Sequence, residues 1–171
     1  RAIDMKTTSA VGMDKWNAHV RSFGLGGFLG CDLPTGRAGK VPNTALYDKQ
    51  YGVKRWNGTS NISNAIGQGE ILTTPIQLAN VMAAIANKGY FYTPHIVKQI
   101  DNKQTPFQEY TVPKHPTIDP KHFEPVIKGM NMAYLAGTAR RTQIDGINIA
   151  AKTGTAENFI RVNGKRMQLT D

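Results

Sequence analysis

The sequence predicts an α+β fold, because segments with helical periodicity come first, strand-like segments come last, and no alternating strand-helix-strand pattern connects them. The 171 residues correspond to the length of about one domain. Since 40% of them are hydrophobic and 19% are charged, the chain can bury a sizeable core without disulfide or metal support. The same composition argues against a disordered chain.

The first helix is predicted from Met13 to Phe23, because apolar side chains recur there at steps of three and four residues. Gly24 supplies a natural stop for this helix. Between Gly24 and Pro42 the frequent glycines and prolines predict a long irregular connection. The glycine patterns in this connection do not fit a dinucleotide fingerprint or a P-loop, so the sequence does not support a nucleotide site there.

The clearest helix is predicted from Thr74 to about Lys88. Thr74 can cap this helix, Pro75 suits its first position, and Gln77 completes a Thr-x-x-Gln capping box. Gly89 is expected to end it. Small alanines surround the main apolar stripe, which predicts a central core helix packed on several faces. The stripe consists of Leu78, Val81, Met82 and Ile85.

A further helix is predicted to begin near Asp119 or near Glu124, each of which is followed by a proline, and to end at Gly137. The alternation from Ile147 to Lys152 predicts a strand whose lysine points away from the buried face. Farther along, Asn163-Gly164 predicts a two-residue hairpin turn between two short strands.

The formal net charge of +9 is spread along the chain without a long basic run. This pattern favours a solvated basic surface over a nucleic-acid site. The single cysteine, Cys31, allows no intramolecular disulfide, and the histidines lack metal-ligand spacing. The sequence therefore predicts no metal and no cofactor. No segment has the length and apolarity of a membrane span or the form of a signal peptide.

Lys152, Thr153, Gly154 and Thr155 form the one short segment whose residue types and setting suggest a polar site. A lysine beside two hydroxyls can hold an anionic group and move protons, and a glycine lets a ligand or a neighbouring backbone approach closely. A Lys-Thr-Gly triplet is common, however, and taken alone it is better explained as a solvated lysine at a strand end.

A longer series of motifs changes this interpretation. Gly-Gln-Gly, Thr-Pro-x-Gln-Leu-Ala and Ala-Asn-x-Gly follow one another between Ile66 and Gly89. Flanking motifs precede and follow this run: Phe23-Gly24-Leu25-Gly26, Asp32-Leu33-Pro34, Gly137-Thr138-Ala139 and the segment from Ala151 to Asn158. In order and spacing the series resembles the class B high-molecular-weight penicillin-binding proteins. The run from Ser63 to Leu72 and the ending Gly164-Lys165-Arg166 most resemble the elongation-type penicillin-binding protein 2 of Bacteroides-like bacteria.

The resemblance implies a penicillin-binding-protein/β-lactamase-like transpeptidase fold, with a helical cluster and part of an antiparallel sheet, of which residues 1–171 form a partial domain. Enzymes of this family acylate a serine with the stem peptide of peptidoglycan, and β-lactams mimic that donor. Carried over to this sequence, Lys152 and Thr153 are the catalytic candidates. Gly154 and Thr155 are the substrate-binding candidates, with Thr155 directed to the donor's terminal carboxylate.

Two motifs of the family do not occur in this sequence. No serine is followed by a lysine three residues later, and there is no Ser-x-Asn. The resemblance puts both motifs before Phe23, so the chain is expected to be an internal piece that lacks the nucleophile segment and the last sheet strands. It is expected to be inactive alone. The parent protein is expected on the periplasmic side of the bacterial inner membrane, anchored by a helix outside this chain and working with other cell-wall elongation proteins.

The alternative is a non-catalytic module on the same fold, either a β-lactam sensor or a scaffold for wall synthesis. A Ser-x-x-Lys sequence upstream would decide between the two. A β-lactamase is disfavoured, because the Gly-Gln-Gly block resembles the biosynthetic branch. Gly67-Gln68-Gly69 is interpreted as a turn before the core helix, and nothing supports Glu70 and Glu157 as a catalytic pair. An unpaired edge of the strand at 147–156 predicts possible self-association.

Overall fold

The structure is a computed structural model that describes residues 10–33, 36–53, 55–101, 103–104, 108–154, 159–163 and 165–168. The chain divides into two compact units, residues 1–124 and residues 125–171. In the part of the chain that the structure describes, no helix is long and apolar enough to cross a membrane.

The first unit is mainly helical. Its elements, in chain order, are α1 (Ala10–Ser22), α2 (Thr44–Tyr51), α3 (Ser60–Ala65), α4 (Pro75–Ala86), the antiparallel pair β1 (Gln99–Ile100) and β2 (Lys103–Gln104), and the 3-10 helices Gln108–Tyr110 and Pro120–His122. The predictions of α1 and α4 are confirmed, and so is the irregular connection between α1 and α2 in its described part. The sequence did not predict α2 and α3.

The capping predictions agree with the structure. Thr74 and Gln77 form both bonds of the capping box at the start of α4, with Pro75 in its first turn. At the other end both Lys88 and Gly89 have positive φ, 58° and 115°. The Gly89 amide then donates to the carbonyl of Ala84 at 2.9 Å and closes the helix end.

The second unit contains most of α5 (Phe123–Leu135), the 3-10 turn Arg140–Thr142, and the strands β3 (Phe159–Val162) and β4 (Lys165–Gln168). The strands pair antiparallel, and Val162 lies opposite Lys165. Asn163 in the connecting turn has a φ of 51°, the left-handed conformation that two-residue hairpin turns require. The hairpin prediction is confirmed.

The strand predicted from Ile147 to Lys152 is wrong. The structure assigns no strand to residues 147–154. The backbone hydrogen bonds of this segment go elsewhere: the Ala151 amide donates to the Met130 carbonyl on α5 at 3.0 Å. Ile147, expected on the buried face, is 53% exposed. The self-association predicted from a strand edge therefore loses its basis for residues 147–154, and residues 155–158 lie outside the described residues.

The core of the first unit centres on aromatic residues of α1 and α2. Met13 and Tyr47 are fully buried and pack with Trp56, while Trp16 covers the edge of the cluster. The Tyr47 and Trp56 rings meet edge to face with their centroids 5.2 Å apart. The indole of Trp56 donates to Asp48 at 2.7 Å, so its polar atom is satisfied.

The prediction that α4 is a core helix packed on several faces is wrong. Its buried side chains are Gln77, Asn80 and Ala84, whereas Leu78 and Met82 of the predicted apolar stripe are 50% and 43% exposed. The orientation follows from hydrogen bonding, because an irregular segment that packs against α4 needs donors for its carbonyl groups.

Three amide side chains supply these donors. Gln77 Nε2 donates to the carbonyls of Gly27 and Ala38 at 2.8 and 2.9 Å. Asn80 Nδ2 donates to the carbonyl of Phe23 at 2.9 Å. On α1, Asn17 Nδ2 donates to the consecutive carbonyls of Val41 and Pro42 at 3.2 and 2.9 Å. Side-chain amides on α1 and α4 thus donate hydrogen bonds to backbone carbonyls between residues 23 and 42, as backbone amides of a neighbouring strand do in a sheet.

The substitution Gln77→Ala is expected to lower the free energy of unfolding of the first unit by about 2 kcal/mol, because two partly buried hydrogen bonds and one cap are lost. Gln77→Glu is expected to be at least as damaging, since a carboxylate would face the same carbonyl oxygens. Chemical denaturation followed by tryptophan fluorescence measures the change, because both tryptophans, Trp16 and Trp56, lie in this unit.

Gln68→Ala is the matched control. The Gln68 side chain makes no hydrogen bond among the described residues, so its removal is expected to change the unfolding free energy by less than about 0.5 kcal/mol. A Gln77→Ala protein as stable as this control would contradict the role given to the amide.

Candidate functional site

The predicted site residues Lys152, Thr153 and Gly154 lie on an exposed segment of the second unit. Apart from its two neighbours in the chain, no described residue has an atom within 4 Å of the position that a Cβ on Gly154 would occupy. The Lys152 ammonium donates to the carbonyl of Thr153. Thr155, the predicted carboxylate partner, lies outside the described residues.

Helix α5 holds the segment that leads to these residues. The Asn131 amide donates to the Asn148 side chain and, at 3.2 Å, to the carbonyl of Ile149. The Ala151 amide donates to the carbonyl of Met130 at 3.0 Å. Lys152 therefore follows directly on a residue whose backbone is fixed to the helix.

Tyr134, also on α5, holds the beginning of the same segment. Its side chain is 2% exposed. Its hydroxyl accepts from the amide of Ile144 at 2.8 Å and donates to the carbonyl of Ile147 at 3.3 Å. The Gln143 amide group donates to the carbonyls of Tyr134 and Leu135 at the end of the helix, at 2.9 and 2.8 Å. Helical periodicity in the sequence does not reveal this role of the Tyr134 hydroxyl.

Thr138 brings a second hydroxyl to the site. Its Oγ1 lies 3.5 Å from Thr153 Oγ1, at the outer limit of a hydrogen bond. Gly137 beside it is required, because a Cβ there would lie 2.8 Å from the Cα and the carbonyl oxygen of Ala133. The Gly137-Thr138-Ala139 motif was singled out from the sequence without a role for its threonine.

Gly67-Gln68-Gly69 forms the turn that was predicted. The Gly67 and Gln68 amides donate to the carbonyls of Asn64 and Ser63 at 3.0 and 2.8 Å, and Gly67 has a φ of 81°. These bonds satisfy the last carbonyls of α3 and reverse the chain towards α4. The motif thus has a structural task in the first unit.

Glu70 is bound by two tyrosines. The hydroxyls of Tyr47 and Tyr51 each donate to its carboxylate at 2.5 Å. Burial favours the neutral carboxyl, but the two hydrogen bonds outweigh burial, so the pKa of Glu70 lies below its ordinary value of 4.5. Burial, followed by the hydrogen bond to Glu70, raises the pKa of Tyr47. Glu157, the other acidic residue considered, lies outside the described residues.

Asp32, part of the Asp32-Leu33-Pro34 motif, has a structural partner. Its carboxylate accepts from the backbone amides of Ile96 and Val97, the latter at 2.7 Å. The hydrogen bond from Val97 is the main reason why the pKa of Asp32 is lowered. The Asp32 carboxylate therefore has a structural role, because its oxygens accept hydrogen bonds from backbone amides.

Three histidines make hydrogen bonds among the described residues, one local in sequence and two to residues 26 and 98 positions away. His19 pairs with Thr117, His95 with the carbonyl of Thr93, and His115 with the carbonyl of Gly89, at 2.7–3.0 Å. Within the described ranges, no group of three or more His, Cys, Asp and Glu residues could hold a metal ion. Cys31 is a free, half-buried thiol.

Residues 3–168 match the family model described as the penicillin binding protein transpeptidase domain. The chain is 32% identical over 159 residues to a peptidoglycan D,D-transpeptidase MrdA of Acinetobacter baumannii, a match that covers 91% of this chain and 23% of the relative. It is 31% identical over 154 residues to MrdA of Escherichia coli K12, covering 87% of this chain and 24% of the relative. The chain thus spans about a quarter of the length of the curated relatives it matches.

Solved structures give the same result. A complex between penicillin-binding protein 2 and MreC from Helicobacter pylori is 30% identical, with a TM-score of 0.66 over 85% of this chain and 26% of that chain. Penicillin-binding protein 3 of Mycobacterium tuberculosis, complexed with aztreonam, is 26% identical, with a TM-score of 0.69 over 93% of this chain and 37% of that chain. With few strands among the described residues, these likenesses confirm the predicted α+β class as an incomplete share of that fold.

The substitution Tyr134→Phe removes the acceptor of the Ile144 amide and the donor to the Ile147 carbonyl. We expect it to destabilise the second unit by about 1–2 kcal/mol, since both groups lose a partly buried bond. Hydrogen exchange of the Ile144 amide should accelerate by about tenfold or more. Tyr90→Phe is the control, because the Tyr90 hydroxyl makes no hydrogen bond among the described residues. Equal exchange rates in the two variants would disprove the support by Tyr134.

The substitution Glu70→Gln is expected to make the free energy of unfolding depend less on pH in the acid range. Because folding lowers the pKa of Glu70, its contribution is complete above the ordinary value of 4.5 and is lost as the pH falls through the lower folded-state value. Denaturant unfolding between about pH 6 and pH 3 should show a smaller loss of stability in Glu70→Gln than in the parent chain. Glu109→Gln, at an exposed position, should keep the parent slope. An unchanged slope in Glu70→Gln would count against the tyrosine-bound carboxylate.

Proposed function

Because the chain belongs to the penicillin-binding-protein transpeptidase family, we propose that it is the part of a peptidoglycan D,D-transpeptidase that forms one wall of the active site. One observation carries this proposal. Lys152, Thr153 and Gly154 are exposed together on a segment that hydrogen bonds tie to α5, and among the described residues only its chain neighbours come close to Gly154. A catalytic segment needs both properties, a fixed backbone and free access for substrate.

The proposed reaction is acyl transfer through a serine. The serine oxygen attacks the carbonyl carbon of the penultimate D-alanine of a stem peptide. The bond to the terminal D-alanine breaks, and this residue leaves with the proton on its amine. An amine of a neighbouring stem peptide then attacks the acyl ester, forms the cross-link and returns the proton to the serine. A β-lactam reacts in the same way at the first step, and its ring-opened acyl group stays on the enzyme.

We assign the roles within this segment as follows. Lys152 supplies positive charge and handles protons near the nucleophile. Thr153 and Thr155 offer hydroxyls along the segment, and Thr155 binds the terminal carboxylate of the donor. Gly154 lets the donor backbone lie against the protein backbone, in the manner of an added strand. The serine comes from a Ser-x-x-Lys sequence, which these 171 residues do not contain.

The same proposal covers location and partners. The full-length protein lies on the periplasmic side of the inner membrane, is anchored by a transmembrane helix outside these residues, and works with other cell-wall elongation proteins. The solved complex between penicillin-binding protein 2 and MreC of Helicobacter pylori supports this partner class. Membership in the elongation branch of Bacteroides-like bacteria stays a prediction.

Labelling with a fluorescent penicillin tests the proposal. The full-length gene product is expected to become acylated, and Lys152→Ala is expected to slow acylation by about a hundredfold or more, the scale of a lost proton-transfer group. Lys98→Ala, which removes an exposed lysine of the first unit, should label at the parent rate. Intact-mass spectrometry measures the adduct.

The chain of 171 residues is the second control. It should show no adduct, because it contains no Ser-x-x-Lys. An adduct on this chain would disprove the missing nucleophile. A full-length product that binds penicillin without any covalent adduct would favour the non-catalytic sensor and overturn the transpeptidase.

A further inference from the structure

A cleft in the second unit lies directly beside the candidate site. It has a volume of about 340 Å³ and is lined by Ala136, Gly137, Thr138, Arg140 and Arg141. Thr138 belongs both to this cleft and to the site, because its hydroxyl lies 3.5 Å from that of Thr153.

The two arginines have no ion-pair partner in the described structure. Both are exposed, and the ion pairs found among the described residues join Lys88 to Glu124 and Lys121 to Asp119. A guanidinium group presents a planar set of donors that matches a carboxylate with two parallel hydrogen bonds. The cleft therefore combines free cationic donors with a hydroxyl.

The backbone around the cleft is fixed. The Arg140 amide donates to the carbonyl of Gly137 at 3.2 Å. The amide and the hydroxyl of Thr142 both donate to the carbonyl of Ala139, at 3.0 and 2.8 Å. Gly137 lies against the backbone of Ala133, where a side chain would not fit. The arginines are thus carried by an ordered turn at the end of α5.

We propose that the Arg140 and Arg141 cleft binds a second carboxylate of the stem peptide, upstream of the terminal carboxylate. This proposal rests on the proposed function, which directs the terminal carboxylate to Thr155. An extended peptide advances about 3.3 Å per residue, so a side carboxylate on a γ-linked residue three positions before the terminus lies roughly 10–15 Å from it. Thr138 lines this cleft, and its hydroxyl lies 3.5 Å from that of Thr153 in the candidate site. The cleft would then select acidic stem peptides over amidated ones.

A simpler role for the arginines is to balance the negative end of α5. In that case their loss would change stability and leave peptide selection unchanged. The two roles therefore predict different ratios of the affinities for an acidic and an amidated stem peptide, and measuring this ratio separates them.

The experiment titrates the 171-residue chain with two peptides of the form acetyl-Ala-γ-D-Glu-Lys(acetyl)-D-Ala-D-Ala, in which the α-carboxylate of D-Glu is free or amidated. Nuclear magnetic resonance follows the Arg Nε–Hε signals of Arg140 and Arg141 and the backbone amides of Thr153 and Gly154. The free acid is expected to bind about threefold tighter or more, as one exposed ion pair allows, and to shift the arginine signals. The double variant R140Q/R141Q should lose this preference.

R37Q is the matched control. Arg37 is an exposed arginine of the first unit, so this variant removes a positive charge but leaves the unit that contains the cleft unchanged. It should keep the preference for the acid. Equal affinity for both peptides, or a preference that survives R140Q/R141Q, overturns the second carboxylate site. Inorganic phosphate that shifts the arginine signals as far as the acidic peptide also overturns it, as a diffuse positive surface would.

The titration separates this inference from the proposed function. Shifts of the Thr153 and Gly154 amides with both peptides at equal affinity would sustain the donor site and reject the arginine cleft. Absence of any shift at Thr153 and Gly154 with either peptide would count against the donor site itself.

Discussion

The need of buried backbone carbonyls for hydrogen-bond donors determines the arrangement of the first unit. The described residues between 23 and 42 form no helix and no strand beyond the single bridge of Lys40 with Leu72, so other carbonyls of this segment need donors from elsewhere. Gln77 and Asn80 of α4 and Asn17 of α1 donate to them instead. This requirement turns the amide face of α4 inward, and Leu78 and Met82 are left half exposed.

The second unit solves the same problem around the candidate site. Within the described ranges no strand pairs with residues 144–153, and α5 binds several of their backbone groups through the side chains of Asn131 and Tyr134 and the carbonyl of Met130. A strand edge bound to a second strand would have its donors and acceptors occupied by the sheet. The segment held by a helix keeps its outer side free, and this combination of support and access suits a site that receives a peptide.

The sequence predicted what depends on neighbouring residues. The capping box of Thr74 and Gln77 and the turn at Asn163 are local arrangements, and both are present. It failed where distant residues decide. The apolar stripe of α4 could not reveal that Gln77 would donate hydrogen bonds to carbonyls 39 and 50 residues away in sequence. Helix α3, Ser60–Ala65, is short and polar, so it offered no periodic signal.

The same distinction applies to the site. Resemblance to a family could single out Lys152 and Gly154 because their motif is local, but the motif contains no information on what holds it in place. The hydroxyl of Tyr134 and the close approach of Gly137 to Ala133 come from a helix that ends well before the motif. A residue that fixes the segment influences the proposed reaction only by positioning the reacting groups. Small displacements of such groups lower the reaction rate by large factors. In the proposed transpeptidase, residues of α5 that never contact substrate are therefore expected to affect catalysis as strongly as some that do.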